Sequence, residues 1–157
     1  QEAKAQQDVV SKVNAFSKKY DELMKKTLPD CRSAKISLEN YLPSINKGLY
    51  RETSSLVSIR LMYFITLMHL ALSDETVSFP KFLLIDTPET AGIELDHLVK
   101  CISQLEDLKN YGVDFQVIIT TGLNKYPSSL NENRVIFMAN KQKENLLLKK
   151  KICESDD

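Results

Sequence analysis

The sequence predicts an α/β fold, a mainly parallel sheet with flanking helices, preceded by one long amphipathic helix. Three observations carry this. The short apolar runs Phe82 to Ile85 and Phe115 to Thr121 enclose a segment with a helical stripe, which is the order of a βαβ unit. The apolar stretch Leu56 to Leu72 has the length of a buried helix. From Glu2 to Lys26 there is neither Gly nor Pro, and apolar residues recur at heptad spacing.

With 157 residues the chain can hold one domain with a core. Lys+Arg and Asp+Glu balance at 21 each. No global field therefore selects nucleic acid or a basic partner, although a local patch for DNA stays open. Cys31, Cys101 and Cys153 are odd in number and far apart, and only His69 and His97 could join them as soft ligands. This reads as reduced thiols in a cytoplasmic protein, without zinc. The first residue is Gln1 rather than Met and the start is polar, so a piece of a longer protein is expected, without a secretion signal.

The opening helix places Val9, Val13, Phe16, Tyr20 and Leu23 on one seam, and Leu28-Pro29-Asp30 stops it. A bundle helix shows the same stripe; the reading here is the end of a coiled coil, residues 1–27, entering a globular unit, residues 28–157. Ala34, Ile36 and Leu38 alternate with polar residues as in a half-buried strand, and Pro43 and Gly48 punctuate the loop that follows. Thr53-Ser54-Ser55 offers three N-caps for the apolar helix. Its length would span a membrane. Arg60, His69 and the strand after it favour a buried helix and no membrane. Leu95, Leu98, Ile102 and Leu105 form the stripe of the crossover helix, which Gly112 ends. The flanking strands are then parallel with a right-handed crossover. Val135 to Met138 and Leu146 to Leu148 are further short-strand candidates.

Four apolar residues run straight into Asp86. In a parallel sheet this places an acid at the carboxyl end of a strand, where ligands bind in open α/β folds. An acid there holds Mg²⁺ in nucleotide hydrolases, and elsewhere simply caps the next turn. The four glycines, Gly48, Gly92, Gly112 and Gly122, begin no phosphate-cradling G-x-x-x-x-G-K-[ST] pattern.

The ordered set resembles the C-terminal lobe of an ABC-type ATPase head of the SMC-like kind, as in double-strand-break-repair and bacterial defence ATPases. The resemblance covers Val9 to Leu148. It implies that Phe82-Leu83-Leu84-Ile85-Asp86 is a Walker B strand with Asp86 on Mg²⁺, and that Gly92-Ile93-Glu94 is a D-loop. Gln116 to Thr121 would precede the switch loop, and Ser54 and Ser55 would open the signature helix toward an ATP γ-phosphate on a second ATPase head. The P-loop would come from an N-terminal lobe of the same protein, and ATP-driven head dimerisation would be coupled to DNA or an effector subunit. The sequence departs from the pattern in three places. The signature glycines are missing from Ser54-Ser55-Leu56-Val57-Ser58, Thr87 replaces the catalytic acid, and Thr121 or Gly122 stands at the switch histidine. Glu89 would then substitute as the catalytic acid, or hydrolysis is slow and ATP acts as a clamp. The alternative is a non-enzymatic α/β interaction module that docks a partner through the first helix.

Overall fold

The computed structural model describes residues 2–49 and 55–135. Ser54, Cys153 and the strand expected at Leu146 to Leu148 lie outside them. Of the strand expected at Val135 to Met138 only Val135 is described, exposed and outside any strand.

Helix α1 spans Glu2–Thr27. Its seam divides in two. Phe16, Tyr20 and Leu23 are buried, while Val9 is 41% exposed and residues 2–11 are exposed throughout. The buried half packs on the apolar helix α2, Leu56–Ser73. Phe16 and Tyr63 have ring centroids 4.8 Å apart, and the Tyr20 hydroxyl donates to the Ile59 carbonyl at 3.1 Å. The coiled-coil piece and the lobe, expected to meet at residue 27, therefore share one core. At the end of α1 the buried Thr27 hydroxyl donates to the Leu23 and Met24 carbonyls, and Pro29 follows, which cannot continue the ladder.

β1, Ala34–Ile36, pairs antiparallel with β2, Pro43–Ile45. Pro43 thus opens a strand where a loop was expected. Proline is tolerated at the first position of an edge strand because no ladder donor is needed there. Leu38 lies in the turn between the strands, exposed, not on the buried face. The outer edge of β1 is closed by α1. Asp21 accepts from the Ala34 N–H at 2.7 Å, and the Ser17 hydroxyl accepts from the Ile36 N–H at 3.0 Å. Asn46 accepts from the Arg32 and Ser33 N–H groups and donates to the Asp30 carbonyl, which locks the entry to the hairpin.

α2 is long and apolar enough to cross a membrane by length and composition alone. Here it packs against α1 and against the elements that follow it. Met62, Ile65, Met68 and the polar Ser58, Thr66 and His69 are all buried. Thr66 satisfies its hydroxyl on the Met62 carbonyl at 2.6 Å.

β3, Phe82–Asp86, and β4, Gln116–Thr120, pair in parallel, as the strand–helix–strand order predicts. Between them run a 3-10 turn, Pro88–Ala91, then α3, Leu95–Ser103, then a second 3-10 turn, Glu106–Tyr111, closed by Gly112 at φ +64°. Leu98, Ile102 and Leu105 of the expected stripe are buried, but Leu95 is exposed in the first turn. Among the described residues the sheet is two separate strand pairs, one antiparallel and one parallel, rather than one mainly parallel sheet. A short connection between β1 and β2 permits only an antiparallel pair.

The divided seam makes α1 a test of its own. Leu23→Ala should destabilise the chain by about 2–5 kcal/mol, the cost of truncating a fully buried leucine. Val9→Ala should change stability by less than about 0.5 kcal/mol in urea unfolding.

His69 supplies a second test. Its Nδ1 lies 3.0 Å from the Tyr111 hydroxyl, while Nε2 has no hydrogen-bond partner. Burial pushes its pKa down to about 4, and the Lys19 charge adds to this against Asp107 and Glu22. Between pH 6.5 and pH 4 the unfolded chain binds the proton that the folded chain refuses. Stability is therefore full above pH 6.5 and falls as the pH drops, by about 2 kcal/mol at pH 5. Urea unfolding at pH 7 and pH 5 should show this loss, and His69→Gln should remove most of it.

Candidate functional site

Parallel pairing in register puts Phe82 beside Gln116, Leu84 beside Ile118 and Asp86 beside Thr120. Side chains alternate across a strand, so these three pairs share one face. The opposite face carries Leu83 and Ile85, both buried in the core. The Asp86 face is uncovered: Leu84 is 60% exposed, Phe82 44% and Ile118 42%. The apolar run of β3 and the buried-strand pattern of β4 read as strands buried on both sides, as parallel strands usually are. Among the described residues one side is left open, and Asp86 stands at its carboxyl end.

Thr120 organises that end. Its hydroxyl donates to Asp86 Oδ1, and its carbonyl and hydroxyl oxygens both accept from the Thr87 N–H at 3.0 Å. The Thr87 hydroxyl lies 3.4 Å from the same Oδ1. Asp86 Oδ1 is thus held by hydroxyls, and the residue is exposed, with no hydrogen bond to Oδ2 among the described residues. Thr87 adopts φ +36°, a left-handed conformation that is rare for a β-branched residue. This turns the chain sharply at Pro88 and sends Glu89 back under the loop after β4.

Glu89 is consumed by that loop. Its Oε1 accepts from the Gly122 N–H at 2.6 Å, and its Oε2 from the Thr121 hydroxyl at 3.2 Å. Partial burial raises its pKa, but its own backbone N–H, the Gly122 N–H, the Thr121 hydroxyl and the Lys125 charge more than offset this, so the net shift is downward. A β-carbon at Gly122 would lie 3.0 Å from the Lys125 side chain and 3.3 Å from Glu89 Oε1, so a larger residue there would press on both side chains.

The structure brings Asp86 and Glu89 to the ends of the same strand pair, with Gly92 closing the 3-10 turn at φ +83°. Ser55 stands elsewhere, buried at the start of α2 in a helical conformation, without a side-chain cap hydrogen bond. Ser54 lies outside the described residues. Gly48, Gly92 and Gly112 each close a turn at positive φ.

The residues fit Mg-ATP in part. Mg²⁺ is commonly held by one or two carboxylates together with substrate phosphates, and Asp86 can supply one carboxylate. No group of three metal-ligating side chains is present among the described residues. Among the described residues nothing at the strand ends supplies the backbone cradle a triphosphate needs, and the Lys125 charge acts on the Glu89 carboxylate.

Sequence reasoning singled out Asp86 and Glu89 but gave no part to the Thr120 hydroxyl or to Lys125. The signal for Thr120 was present: parallel strands of equal length place the last residue of one beside the last residue of the other. No family model, no curated protein and no solved structure matches the chain.

Proposed function

We propose that the chain is one half-site of an ATP-binding and hydrolysing SMC-like head that dimerises on ATP. The observation that carries this is Asp86, braced by Thr120 at the carboxyl end of a parallel pair, where ligands bind in α/β sheets. The uncovered apolar face supports it as well. A parallel pair with one bare face is half of a layered structure, and a second lobe laid on Phe82, Leu84 and Ile118 would bring a phosphate-binding loop to Asp86. In this reading Asp86 holds Mg²⁺, and the start of α2 meets the γ-phosphate on a second head. The head passes its state to DNA or an effector subunit in the cytoplasm.

One specific observation favours the second reading, a non-enzymatic interaction module. Between α1, α2 and the β1–β2 hairpin runs an apolar groove of about 370 Å³, lined by Val13, Phe16, Ile36, Tyr63 and Leu67. On α1 its lining starts at Lys12, next to the exposed residues 2–11.

Two measurements test the first reading, and the second of them separates it from the interaction module. Calorimetry of the 157-residue chain with Mg-ATP should show no binding in the micromolar range, because acids without a cradle repel a triphosphate. Micromolar binding would mean a complete nucleotide site in this chain. In the head assembled with its P-loop lobe, Asp86→Asn should lower ATP turnover about 100-fold or more while the chain stays folded, as expected when one electrostatic element of a phosphoryl-transfer site is lost. Unchanged turnover would remove Asp86 from the site.

A further inference from the structure

We infer that Glu89 acts as a positioning residue that ties the loop after β4 to the end of β3, and does not act on the attacking water. This rests on the nucleotide-site reading above and deepens it. A general base must have an oxygen within reach of water and a pKa near the working pH. In Glu89 both oxygens already accept hydrogen bonds within the fold, and the pKa is shifted down, away from the working pH. One oxygen is held by the Gly122 N–H and the other by the Thr121 hydroxyl. The same contacts, with the Lys125 charge, pull its pKa down against the effect of burial.

What these bonds accomplish is geometric. The Thr87 N–H is tied to Thr120, and Glu89, two residues later, is tied to Thr121 and Gly122. Two successive clasps therefore connect the chain after β3 to the chain after β4. Each takes a donor or acceptor that would otherwise be unpaired at a strand end. The left-handed Thr87 is the cost of this arrangement, since a relaxed turn would not return Glu89 to the loop. The Gly122 N–H meets the carboxylate at 2.6 Å, and a β-carbon there would crowd Glu89 Oε1 at 3.3 Å. The loop that would sense the γ-phosphate is thereby fixed relative to Asp86. Within the described residues the catalytic acid is missing rather than displaced from Thr87 to Glu89.

The clasp needs an acceptor of the right length, not a base, and this decides the experiment. In the head assembled with its P-loop lobe, Glu89→Ala should lower turnover about 100-fold by letting the loop drift. Glu89→Gln, which keeps an acceptor oxygen at the same reach, should recover most of that loss, whereas Glu89→Asp should not. A base would instead lose about 10²–10⁴-fold in the glutamine variant as well. The second readout needs no nucleotide. In ¹H–¹⁵N spectra of the 157-residue chain the Gly122 amide proton should lie downfield and titrate with Glu89 below the ordinary carboxylate range. Glu89→Ala should move it upfield. A Gly122 amide indifferent to Glu89→Ala, or a glutamine variant as inactive as the alanine one, overturns the assignment. An assembled head without ATPase activity, alongside a Gly122 amide that follows Glu89, defeats the ATPase reading and leaves the clasp standing.

Discussion

The parallel pairing of β3 with β4 is the constraint on which the site depends. Parallel strands cannot be joined by a tight turn, so the chain between them must cross over, and both strands must end on the same side. That places Asp86 next to Thr120, and the two following segments next to each other. Every bond at the site, from the Thr120 hydroxyl on Asp86 to the Gly122 N–H on Glu89, is then a contact between neighbours. None would exist in an antiparallel arrangement, where the end of one strand faces the start of the other.

The same pairing leaves a debt on its outer face. The core covers Leu83 and Ile85 through α2 and its neighbours, while Phe82, Leu84 and Ile118 remain in solvent. Burying apolar area is worth roughly 25 cal/mol per Å², so an aligned row of three such side chains favours a covering layer. This links the packing of the lobe to its proposed role: the surface that needs a cover and the acid that needs a phosphate cradle lie on one face. The α1 helix has the opposite character. Its expected outward seam is largely turned inward onto α2, and only its first turns remain for an external helix.

The elements legible in the sequence were those with strong local patterns. The long helices α1 and α2, the crossover helix and both parallel strands follow from periodicity and run length. β2 was hidden by Pro43, because a proline reads as a break unless the strand is known to start on it. The exposure of Leu84 was not legible either, since an apolar run looks the same whether one face or two are covered. Asp86 announced itself as the acid after an apolar run. The engagement of Glu89 could not be read locally, because its partners lie more than thirty residues away and are brought near only by the parallel register. The family resemblance suggested a chemical role for Glu89 from its distance in sequence to Asp86, and its bonds to Thr121 and Gly122 are the basis of the positioning role inferred above.

The central claim is that the open face of the parallel pair is an interface with a P-loop-bearing lobe. Methyl NMR of Leu84 and Ile118 tests it most directly, recorded on the 157-residue chain alone and again in complex with that lobe. The account predicts solvent-exposed methyl signals in the chain alone, and in the complex large shifts with contacts to the methyl groups of the added lobe. If the complex forms and both residues keep their exposed signals, the face is not the interface, and Asp86 loses the neighbour that would complete its site.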